Sequence, residues 1–499
     1  MNVIVILIDS CNRHYLSSYG CKTVATPNIQ QLADRGVTFT NHVIGSAPCM
    51  PARRELMTGR REFLWRGWGH LEPFDRPLAF ACRQADAVTE MVTDHYHYWE
   101  NGAHGYMESF RGCEMIRGPE CDYWKTQIQP DKPDWVNGID RHRPGAGSGY
   151  YQNVAHFKSE EDFFSPTVFR KAAEWLEANH NHDKFMLWIE SFDPHEPFHV
   201  PDPYRSMYTD DLNPDYTCWP PYQNEQQRLK FLRNTSQGEL DYIRAQYQGN
   251  LTMVDHSLAQ VWSVMDKHNL WDNTMVILTT DHGHELAEAI KDLGEVTDDA
   301  RDHTLRIPFG KQHPHYLSHA HIPLIVWHPS LMNGGKRIDE FTTAVDLYPT
   351  VLEELGAKDT SCPHGQSILP LLRAEKWDRD FIYWGDYGKG ICCTDGEHVL
   401  LQGSKAGAPL YWYSALMDDS CADAETGKFI PGVDCPVWRI PRQAVFELES
   451  ILHRRNDPLF DERNIIDEHP EIADNLRKRL KERIVQDGCP PEQLTRLRL

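Results

Sequence analysis

Three short runs of apolar residues, each followed closely by an acidic residue, constrain the fold of this chain more than any other feature. The runs are Val3 to Ile8, Phe185 to Ile189 and Thr274 to Thr280. Continuous apolar runs rich in β-branched residues are typical of strands that are buried on both faces, as in the parallel sheets of α/β proteins. We therefore predict an α/β fold in which Asp9 and Asp281 meet at the carboxyl edge of one sheet.

Acidic side chains gathered at one sheet edge repel each other, and a cation offsets that repulsion. His282 follows Asp281 directly and adds an imidazole to the carboxylate oxygens. This mixture suits Mn²⁺ or a Mg²⁺-like ion well and Ca²⁺ less well. We expect one divalent metal ion, Ca²⁺ or Mn²⁺, at Asp9, Asp281 and His282. The alternative is that the two carboxylates only cap turns.

The segment Cys49-Met50-Pro51-Ala52-Arg53 is predicted to be a turn that leads into a helix. Pro51 suits a first helical turn, and Gly59 suits a helix end. Cys49 would then lie just before a helix N-terminus, next to unpaired backbone N–H groups and two arginines. Such surroundings lower the pKa of a thiol and attract a tetrahedral anion. A buried cysteine beside a surface arginine pair is the alternative.

This Cys-x-Pro-x-Arg motif is followed by Thr58-Gly59-Arg60 and preceded by the stretch Ala25 to Asn41. Together these segments resemble the sulfatase family of the alkaline phosphatase superfamily. The resemblance implies a sandwich with a large mixed, mostly parallel central sheet flanked by helices, and a smaller C-terminal α+β subdomain. We expect the catalytic domain to span residues 1–380 and the subdomain residues 381–499. The resemblance also implies that Cys49 is oxidised to formylglycine, whose hydrate is the nucleophile and a metal ligand.

Further roles follow from the same resemblance. Arg53 and Lys311 would neutralise charge on the transferring group. His195, in the segment Asp193-Pro194-His195, would protonate the departing alcohol oxygen as general acid. Lys311 begins a stretch similar to a family segment, with one extra residue before Tyr316. A solvated histidine and an exposed lysine are the alternatives.

The chain departs from the family pattern in two places. Where many sulfatases have Gly-Lys-Trp-His, this chain has Asp94 at the lysine position and Tyr96 at the histidine position. We expect Asp94, His95 and His97 to bind substrate, with His95 or His97 as the replacement cation; a loop of stacked aromatic rings is the alternative. Ser10 stands where many sulfatases have a second aspartate. The residue set therefore resembles the phosphonate monoester hydrolase branch as much as typical arylsulfatases.

These features predict a metal-dependent, arylsulfatase-like hydrolase of sulfate esters. A phosphonate monoester or phosphate diester hydrolase with the same site is the first alternative. A phosphomonoesterase would need more cations than the site offers. A catalytically silent metal-binding scaffold is a further alternative. A plain cysteine hydrolase using Cys49 and His195 would leave Asp9 and Asp281 without a purpose.

Charge and cysteine usage bear on the partners and the compartment. The 73 acidic and 51 basic residues give a net charge of −22, which disfavours nucleic acid and anionic membranes as partners. The thirteen cysteines have no regular spacing, and Met1 to Asp9 has no basic region of a signal peptide, so we expect a cytoplasmic protein. The expected partners are a small anionic ester and a formylglycine-generating enzyme during maturation. A homo-oligomer is the default expectation.

Periodicity predicts the remaining organisation. Helices are expected over Thr26 to Gly36, Ser165 to Asn179 and Leu240 to Lys267, and a strand over Ala87 to Thr93. Residues 113–161 and 201–237 have no period and are expected to be irregular. A charged insertion covers 295–308. Strand-like segments return from about Asp380, and a helical tail begins near 458–464.

Overall fold

The structure is a computed structural model that describes residues 1–100, 102–127, 131–221, 225–288, 309–311, 315–331, 334–357, 364–417, 423–456 and 463–499. The charged insertion at 295–308 and the predicted start of the tail at 458–462 lie outside the described residues. In the described residues, the strands β1 to β20 span, in chain order, Asn2–Ile8, Val37–Phe39, His42–Val43, Ser46–Ala47, Val88–Thr93, Gly112–Met115, Phe185–Ser191, Thr274–Thr279, Glu285–Leu286, Phe309–Gly310, Leu324–Trp327, Lys336–Ile338, Thr342–Thr343, Ile382–Asp386, Ile391–Thr394, His398–Gln402, Pro409–Ser414, Glu425–Gly427, Val437–Gln443 and Ile451–Arg454. The helices α1 to α14 span Pro27–Arg35, Cys49–Thr58, Leu78–Gln84, Gly105–Glu108, Asp134–His142, Ala146–Val154, Phe164–Asn179, Glu225–Asn234, Gln237–Lys267, Leu317–Ala320, Leu347–Leu355, Leu369–Leu372, Pro470–Gln486 and Pro491–Arg496.

Eight strands form the central sheet in the order β12-β2-β11-β8-β1-β7-β5-β6. All of them run in one direction except β11, which is antiparallel to β2 and β8. The apolar run at the N-terminus is continuous because β1 is buried on both faces. Ile4, Ile6 and Ile8 pack in the core on one side of the sheet, and Val3, Val5 and Leu7 in the core on the other. The predicted mostly parallel α/β sheet is confirmed.

Helices cover both faces of the sheet. Side chains of α1, α7 and α9 pack in the first core, and side chains of α2, α3 and α11 in the second. The long helix α9 buries Leu251, Val254, Leu258 and Val261, which recur at helical spacing. Each helix therefore turns an apolar stripe toward the sheet and holds it in a three-layer sandwich.

Strand register brings the acidic residues to one level of the sheet. Leu7 in β1 is paired with Thr279 in β8 and with Glu190 in β7. Asp9 and Asp281 each come two residues after a paired position, so both lie at the carboxyl edge of adjacent parallel strands. Ligands of open α/β sheets bind at this edge.

The C-terminal part is rich in β-structure. It contains a five-stranded sheet in the order β20-β16-β15-β14-β4, a three-stranded sheet β17-β19-β18, and the helices α13 and α14. The strand β4 comes from the N-terminal part of the chain and pairs in parallel with β14. The expected α+β character is confirmed, and the boundary between residues 380 and 381 stays a prediction.

Several local expectations were wrong. Residues 113–161 contain the helices α5 and α6, and 201–237 contains α8. The helix α5 is too short to show a clear period in the sequence, but it buries Val136 and Ile139. Cys49 is the first residue of α2 rather than the residue before it. The expectation for Gly59 was correct, because Gly59 follows the end of that helix and adopts the left-handed region at φ 67°. Among the described helices, none is both long enough and apolar enough to cross a membrane.

Candidate active site

Arg53 is the centre of the acidic cluster at the carboxyl edge. It is fully buried in α2, and its Nε donates to Glu190 Oε1 at 2.6 Å. Its Nη1 donates to Asp281 Oδ2 and its Nη2 to Asp9 Oδ2, both at 2.7 Å. Burial alone lowers the pKa of an arginine, but these three carboxylates raise the pKa of Arg53 well above its ordinary value. Its charge is therefore permanent and offsets that of the ligands.

The four residues predicted as metal ligands lie together. Ligand atoms of Asp9, Cys49, Asp281 and His282 are all within 4.8 Å of one another, and all four residues are buried. Cys49 Sγ lies 3.2 Å from His282 Nε2, and His282 Nε2 lies 3.3 Å from Asp281 Oδ2. Two carboxylates, one imidazole and the side chain at position 49 thus converge on one small volume.

The donor set fits a divalent cation. His282 Nδ1 lies 2.9 Å from the carbonyl oxygen of Gly283, to which it donates. In the neutral imidazole, Nε2 then carries a lone pair that faces the lone pairs of Asp281 Oδ2. This contact becomes favourable when a cation lies between the two atoms. Burial and the neighbouring Asp281 also raise the pKa of Asp9, and a cation bound between the two carboxylates would lower it again.

Ser10 connects the two carboxylates. Its backbone N–H donates to Asp281 Oδ1 at 3.0 Å, and its hydroxyl donates to Asp9 Oδ1 at 2.6 Å. The residue is held in the left-handed region at φ 59°. Tyr247 fixes this turn, because its hydroxyl accepts from the N–H of Asn12 at 2.9 Å and donates to the carbonyl oxygen of Ser10 at 2.8 Å.

Lys311 and His195 lie on the other side of the cluster, joined by Glu196. Lys311 Nζ is 3.3 Å from Ser10 Oγ and 3.4 Å from Glu196 Oε2. Although burial lowers the pKa of a lysine, Glu196 and Cys49 raise that of Lys311 above its ordinary value, so the ammonium stays charged. His195 Nδ1 donates to the carbonyl oxygen of Glu196 at 2.7 Å, and its ring stacks on Phe192 with centroids 4.0 Å apart.

The electrostatics around His195 depend on what else is bound. Burial, followed by the nearby Lys311, holds the pKa of His195 well below its usual range. Burial raises the pKa of Glu196 to about 7. The carboxylates of Glu120 and Glu196 each lie within 4.8 Å of a ring nitrogen of His195. An anion placed beside His195 would therefore favour its protonated form.

The three predicted substrate-binding residues occupy different surroundings. His95 is completely buried, with Nδ1 3.7 Å from Asp9 Oδ2 and 4.0 Å from Glu190 Oε1. Asp94 turns away and accepts from the N–H of Phe192 at 2.6 Å, and burial raises its pKa. His97 pairs with Glu100 at 2.5 Å, and its ring makes edge-on contacts with the rings of Trp68 and Phe192. Of the three, only His95 contacts the acidic cluster, and their roles stay predictions.

Two carboxylates of the site were not assigned a role from the sequence. Glu190 accepts from Arg53, from the hydroxyl of Tyr98 at 2.9 Å and from the indole N–H of Trp188 at 3.1 Å. Glu196 lies between Lys311 and His195. The signal for Glu190 was its place directly after the second buried run, Phe185 to Ile189. No local signal marked Glu196, because its partner Lys311 is distant in the chain.

The site lies in a mostly parallel α/β/α sandwich. It combines a buried cluster of acidic candidate ligands, a cysteine in the first turn of the adjacent helix and a charged lysine on the opposite side. These features are those of a candidate metal-assisted hydrolase. Comparison with known proteins gives the family. The sequence model of the sulfatase family matches residues 1–357, and the chain belongs to this family.

Similar proteins agree with this assignment. The chain is 25% identical over 439 residues to the multifunctional alkaline phosphatase superfamily protein PehA of Trinickia caryophylli, covering 77% of this chain and 80% of that protein. It is 23% identical over 454 residues to an arylsulfatase of Clostridium perfringens, covering 85% and 88%. A solved phosphonate monoester hydrolase from Silicibacter pomeroyi has the same fold, with a TM-score of 0.65, 18% identity and coverage of 98% of this chain and 96% of that one. The alkaline-phosphatase-like fold and the resemblance to the sulfatase family are confirmed.

Proposed function

We propose that this protein hydrolyses sulfate esters through an oxygen nucleophile carried at position 49. The observation that carries this proposal is the place of Cys49, in the first turn of α2 and 3.2 Å from His282 within a cluster of buried carboxylates. Oxidation of Cys49 to formylglycine by a formylglycine-generating enzyme would supply a hydrate whose second hydroxyl permits expulsion of sulfate.

Asp9, Asp281, His282 and the side chain at position 49 would hold one divalent cation, Ca²⁺ or Mn²⁺, which supplies Lewis acidity and a lowered hydroxyl pKa. Arg53 holds Asp9 and Asp281 at fixed positions through two hydrogen bonds of 2.7 Å. Because its N–H groups bind carboxylates and the carbonyl oxygen of Cys49, Arg53 offsets ligand charge rather than substrate charge.

Because Arg53 binds the carboxylates, we assign to Lys311 the role of neutralising the charge on the transferring group. Its ammonium is charged and lies next to Ser10, at the rim of the acidic cluster. Glu196 holds the ammonium at 3.4 Å without using all of its three N–H donors. A sulfate oxygen at this position would receive a charge-assisted hydrogen bond, which strengthens as charge develops in the transition state.

His195 is the proposed general acid for the leaving oxygen. Its Nδ1 is fixed on the carbonyl oxygen of Glu196, which leaves Nε2 for proton transfer. Burial keeps the free histidine neutral, and the bound anionic ester would raise its pKa. Proton transfer would then be coupled to substrate binding.

Hydrolysis of phosphonate monoesters or phosphate diesters with the same residues is the second candidate. Ser10 and Asp94 each remove a charged group found in many sulfatases, and His95 brings an imidazole near Asp9 instead. Two similar proteins are named as a multifunctional superfamily member and a phosphonate monoester hydrolase. The ratio of kcat/KM for an aryl sulfate to that for a phenylphosphonate ester distinguishes the two candidates.

The first experiment is peptide mass spectrometry of the Cys49 peptide from protein purified from its own host. Conversion to formylglycine lowers the peptide mass by roughly 18 Da. The peptide containing Cys11, a buried free thiol of the same chain, is the internal control and should keep its cysteine mass. An unmodified thiol at position 49 would contradict the mechanism. Confirmed conversion without activity on any ester class would favour the silent scaffold.

The proposed compartment is the cytoplasm, and the proposed substrate is a small anionic ester. All eleven cysteines among the described residues are free thiols, which supports a reducing compartment. The acidic net charge of −22 supports partners other than nucleic acid or an anionic membrane. A homo-oligomer remains a proposal, to be tested by light scattering.

A further inference from the structure

A polar cavity of about 390 Å³ lies near the candidate active site but is separate from it. Its lining includes three arginines and three histidines: Arg13, Arg337, Arg455, His14, His321 and His453. None of the described residues that line it is an aspartate or a glutamate. In a chain with a net charge of −22, such a concentration of basic side chains is unexpected.

The three guanidinium groups of the cavity have neutral partners. Arg13 Nη1 donates to the carbonyl oxygen of Thr40 at 3.4 Å, and Arg337 Nη1 to that of Ser18 at 3.0 Å. Arg455 Nη2 donates to the side-chain oxygen of Asn41. Over the part of the chain that the structure describes, no carboxylate lies within 4.0 Å of these three arginines. The buried Nε atoms of Arg13 and Arg455 have no hydrogen-bond partner there.

The pKa values of basic groups in the cavity are lowered, as expected where positive charges have no carboxylate beside them. Burial, together with Arg455 and Arg337, lowers the pKa of Arg13 to about 10. Burial and the neighbouring Arg13 lower the pKa of His14 to about 3. Arg13 and Arg455 are half-buried, and Arg337 is exposed. A half-buried cation without a counter-charge costs free energy, and a bound anion would reduce that cost.

The short helix α10 separates this cavity from the metal cluster. Leu317 at its start lines the cavity. His319, on the same helix, stacks on His282 with ring centroids 5.1 Å apart, and its carbonyl oxygen accepts from the N–H of Gly283 at 2.9 Å. The cavity is therefore close to the proposed ester-cleaving site without being part of it.

We propose that this cavity binds an oxyanion (a sulfate, phosphate or carboxylate group) other than the ester group that is cleaved. Guanidinium groups match such anions because their planar N–H pairs bind two oxygens at once. Two sources offer this chemistry: a second anionic group on the substrate, or a free anion in solution. The proposal goes beyond the proposed function, because binding in the cavity does not require turnover.

Binding is tested by calorimetric titration of sodium selenate at constant ionic strength. The double variant Arg337→Gln/Arg455→Gln removes two cavity cations. The matched control is Lys336→Gln/Arg454→Gln. Lys336 and Arg454 are the exposed chain neighbours of Arg337 and Arg455, and neither of them lines the cavity. We expect wild type and control each to bind one selenate ion more than the double variant binds. If the double variant still binds this ion, its Kd should be at least about tenfold higher than that of wild type and control. Identical titrations of all three proteins would overturn the proposal.

A second measurement does not depend on the variants. Anomalous diffraction from wild-type crystals soaked in selenate locates the ion through its selenium atom. A peak between Arg13 and Arg455 supports the proposal, and its absence at a selenate concentration that fills the catalytic site overturns it.

Kinetics separate the two sources of the anion. If the anion is part of the substrate, the double variant raises KM for a disulfated aryl ester about fivefold or more and leaves KM for 4-nitrophenyl sulfate unchanged. If the anion is free, inorganic phosphate changes kcat/KM for 4-nitrophenyl sulfate in wild type and control but not in the double variant. The selenate measurements need no turnover, so a failure of the proposed sulfatase activity would not be mistaken for a failure of this proposal.

Discussion

Ser10 donates its backbone N–H to Asp281 Oδ1 at 3.0 Å, across 271 residues of sequence. The same residue donates its hydroxyl to Asp9 Oδ1 at 2.6 Å. One short side chain in a left-handed turn thus holds together the carboxylates of two adjacent strands. Its own contribution to the candidate metal site is positional, since its N–H and its hydroxyl both donate to carboxylate oxygens of the candidate ligands.

We expect Ser10→Ala to weaken Mn²⁺ binding about tenfold, because the residue next to a metal ligand orients that ligand. The substitution removes the hydroxyl from Asp9 and leaves the backbone N–H to Asp281 in place. Equilibrium dialysis with Mn²⁺ measures the effect. Ser18→Ala is a suitable control, since the buried hydroxyl of Ser18 has no hydrogen-bond partner in the part of the chain that the structure describes. Equal affinities of the two variants would contradict the assigned role.

Arg53→Gln should destabilise the protein by about 3–5 kcal/mol, because it leaves three buried carboxylates without their counter-charge. Denaturant unfolding in the absence of divalent ions measures this loss. Arg170→Gln, which breaks an exposed pair with Glu174 on α7, should cost less than about 0.5 kcal/mol. A mild effect of Arg53→Gln would mean that the carboxylates protonate at little cost.

His195→Asn should slow hydrolysis of alkyl sulfates about 100-fold or more, because an alkoxide leaves poorly without a proton. Hydrolysis of 4-nitrophenyl sulfate should slow much less, since its leaving group needs little protonation. The dependence of kcat on leaving-group pKa measures the difference. His199→Gln, at a half-buried histidine that stacks on Trp135, is the control and should change the rates of both substrates equally. A uniform loss in His195→Asn would rule out the general-acid role.

Glu55 gives a prediction on pH and stability. Burial raises its pKa from 4.5 to about 7, and one of its oxygens has no hydrogen-bond partner among the described residues. The protonated carboxyl therefore favours the fold. This contribution is complete below about pH 4.5 and is lost as the pH rises through about 7.

Between about pH 5 and pH 8, wild type should lose up to about 3 kcal/mol of stability that Glu55→Gln retains. The difference in Tm between the two proteins at each pH measures this linkage. Glu375→Gln, at an exposed position, should follow the wild-type curve. Parallel curves for wild type and Glu55→Gln would show that Glu55 is already ionised at low pH.

Chelation of divalent ions should lower Tm, and Mn²⁺ or Ca²⁺ should restore it. A ligand at 100 times its Kd stabilises the folded state by about 2.7 kcal/mol. Asp281→Asn should remove most of this dependence, because it takes one charged ligand out of the cluster. Differential scanning calorimetry with and without metal measures both. A Tm of wild type that does not respond to metal would contradict the metal site.

The strands that end near Asp9 and Asp281 could be predicted from the sequence, because a strand buried on both faces must be continuously apolar. The helices α7 and α9 were predictable for a similar local reason, their apolar residues recurring at helical spacing. The helices α5 and α6 were not, since they are short and are stabilised by packing on each other and in the first core, where Ile139, Tyr150 and Val154 are buried. Cys49 was predicted near the candidate metal ligands from a resemblance, and it lies there because α2 packs on the sheet through Met50, Leu56 and Met57.

The sequence by itself determined the parallel sheet, the candidate ligands and the presence of a helix next to Cys49, because these depend on local composition and on short motifs. Only the tertiary structure decided that Arg53 binds Glu190, 137 residues away, and that Glu196 holds Lys311. It also decided that Arg13, Arg337 and Arg455 share one cavity. Charges distant in the chain meet only when packing of the core fixes strand order and register, and no local pattern encodes such a meeting.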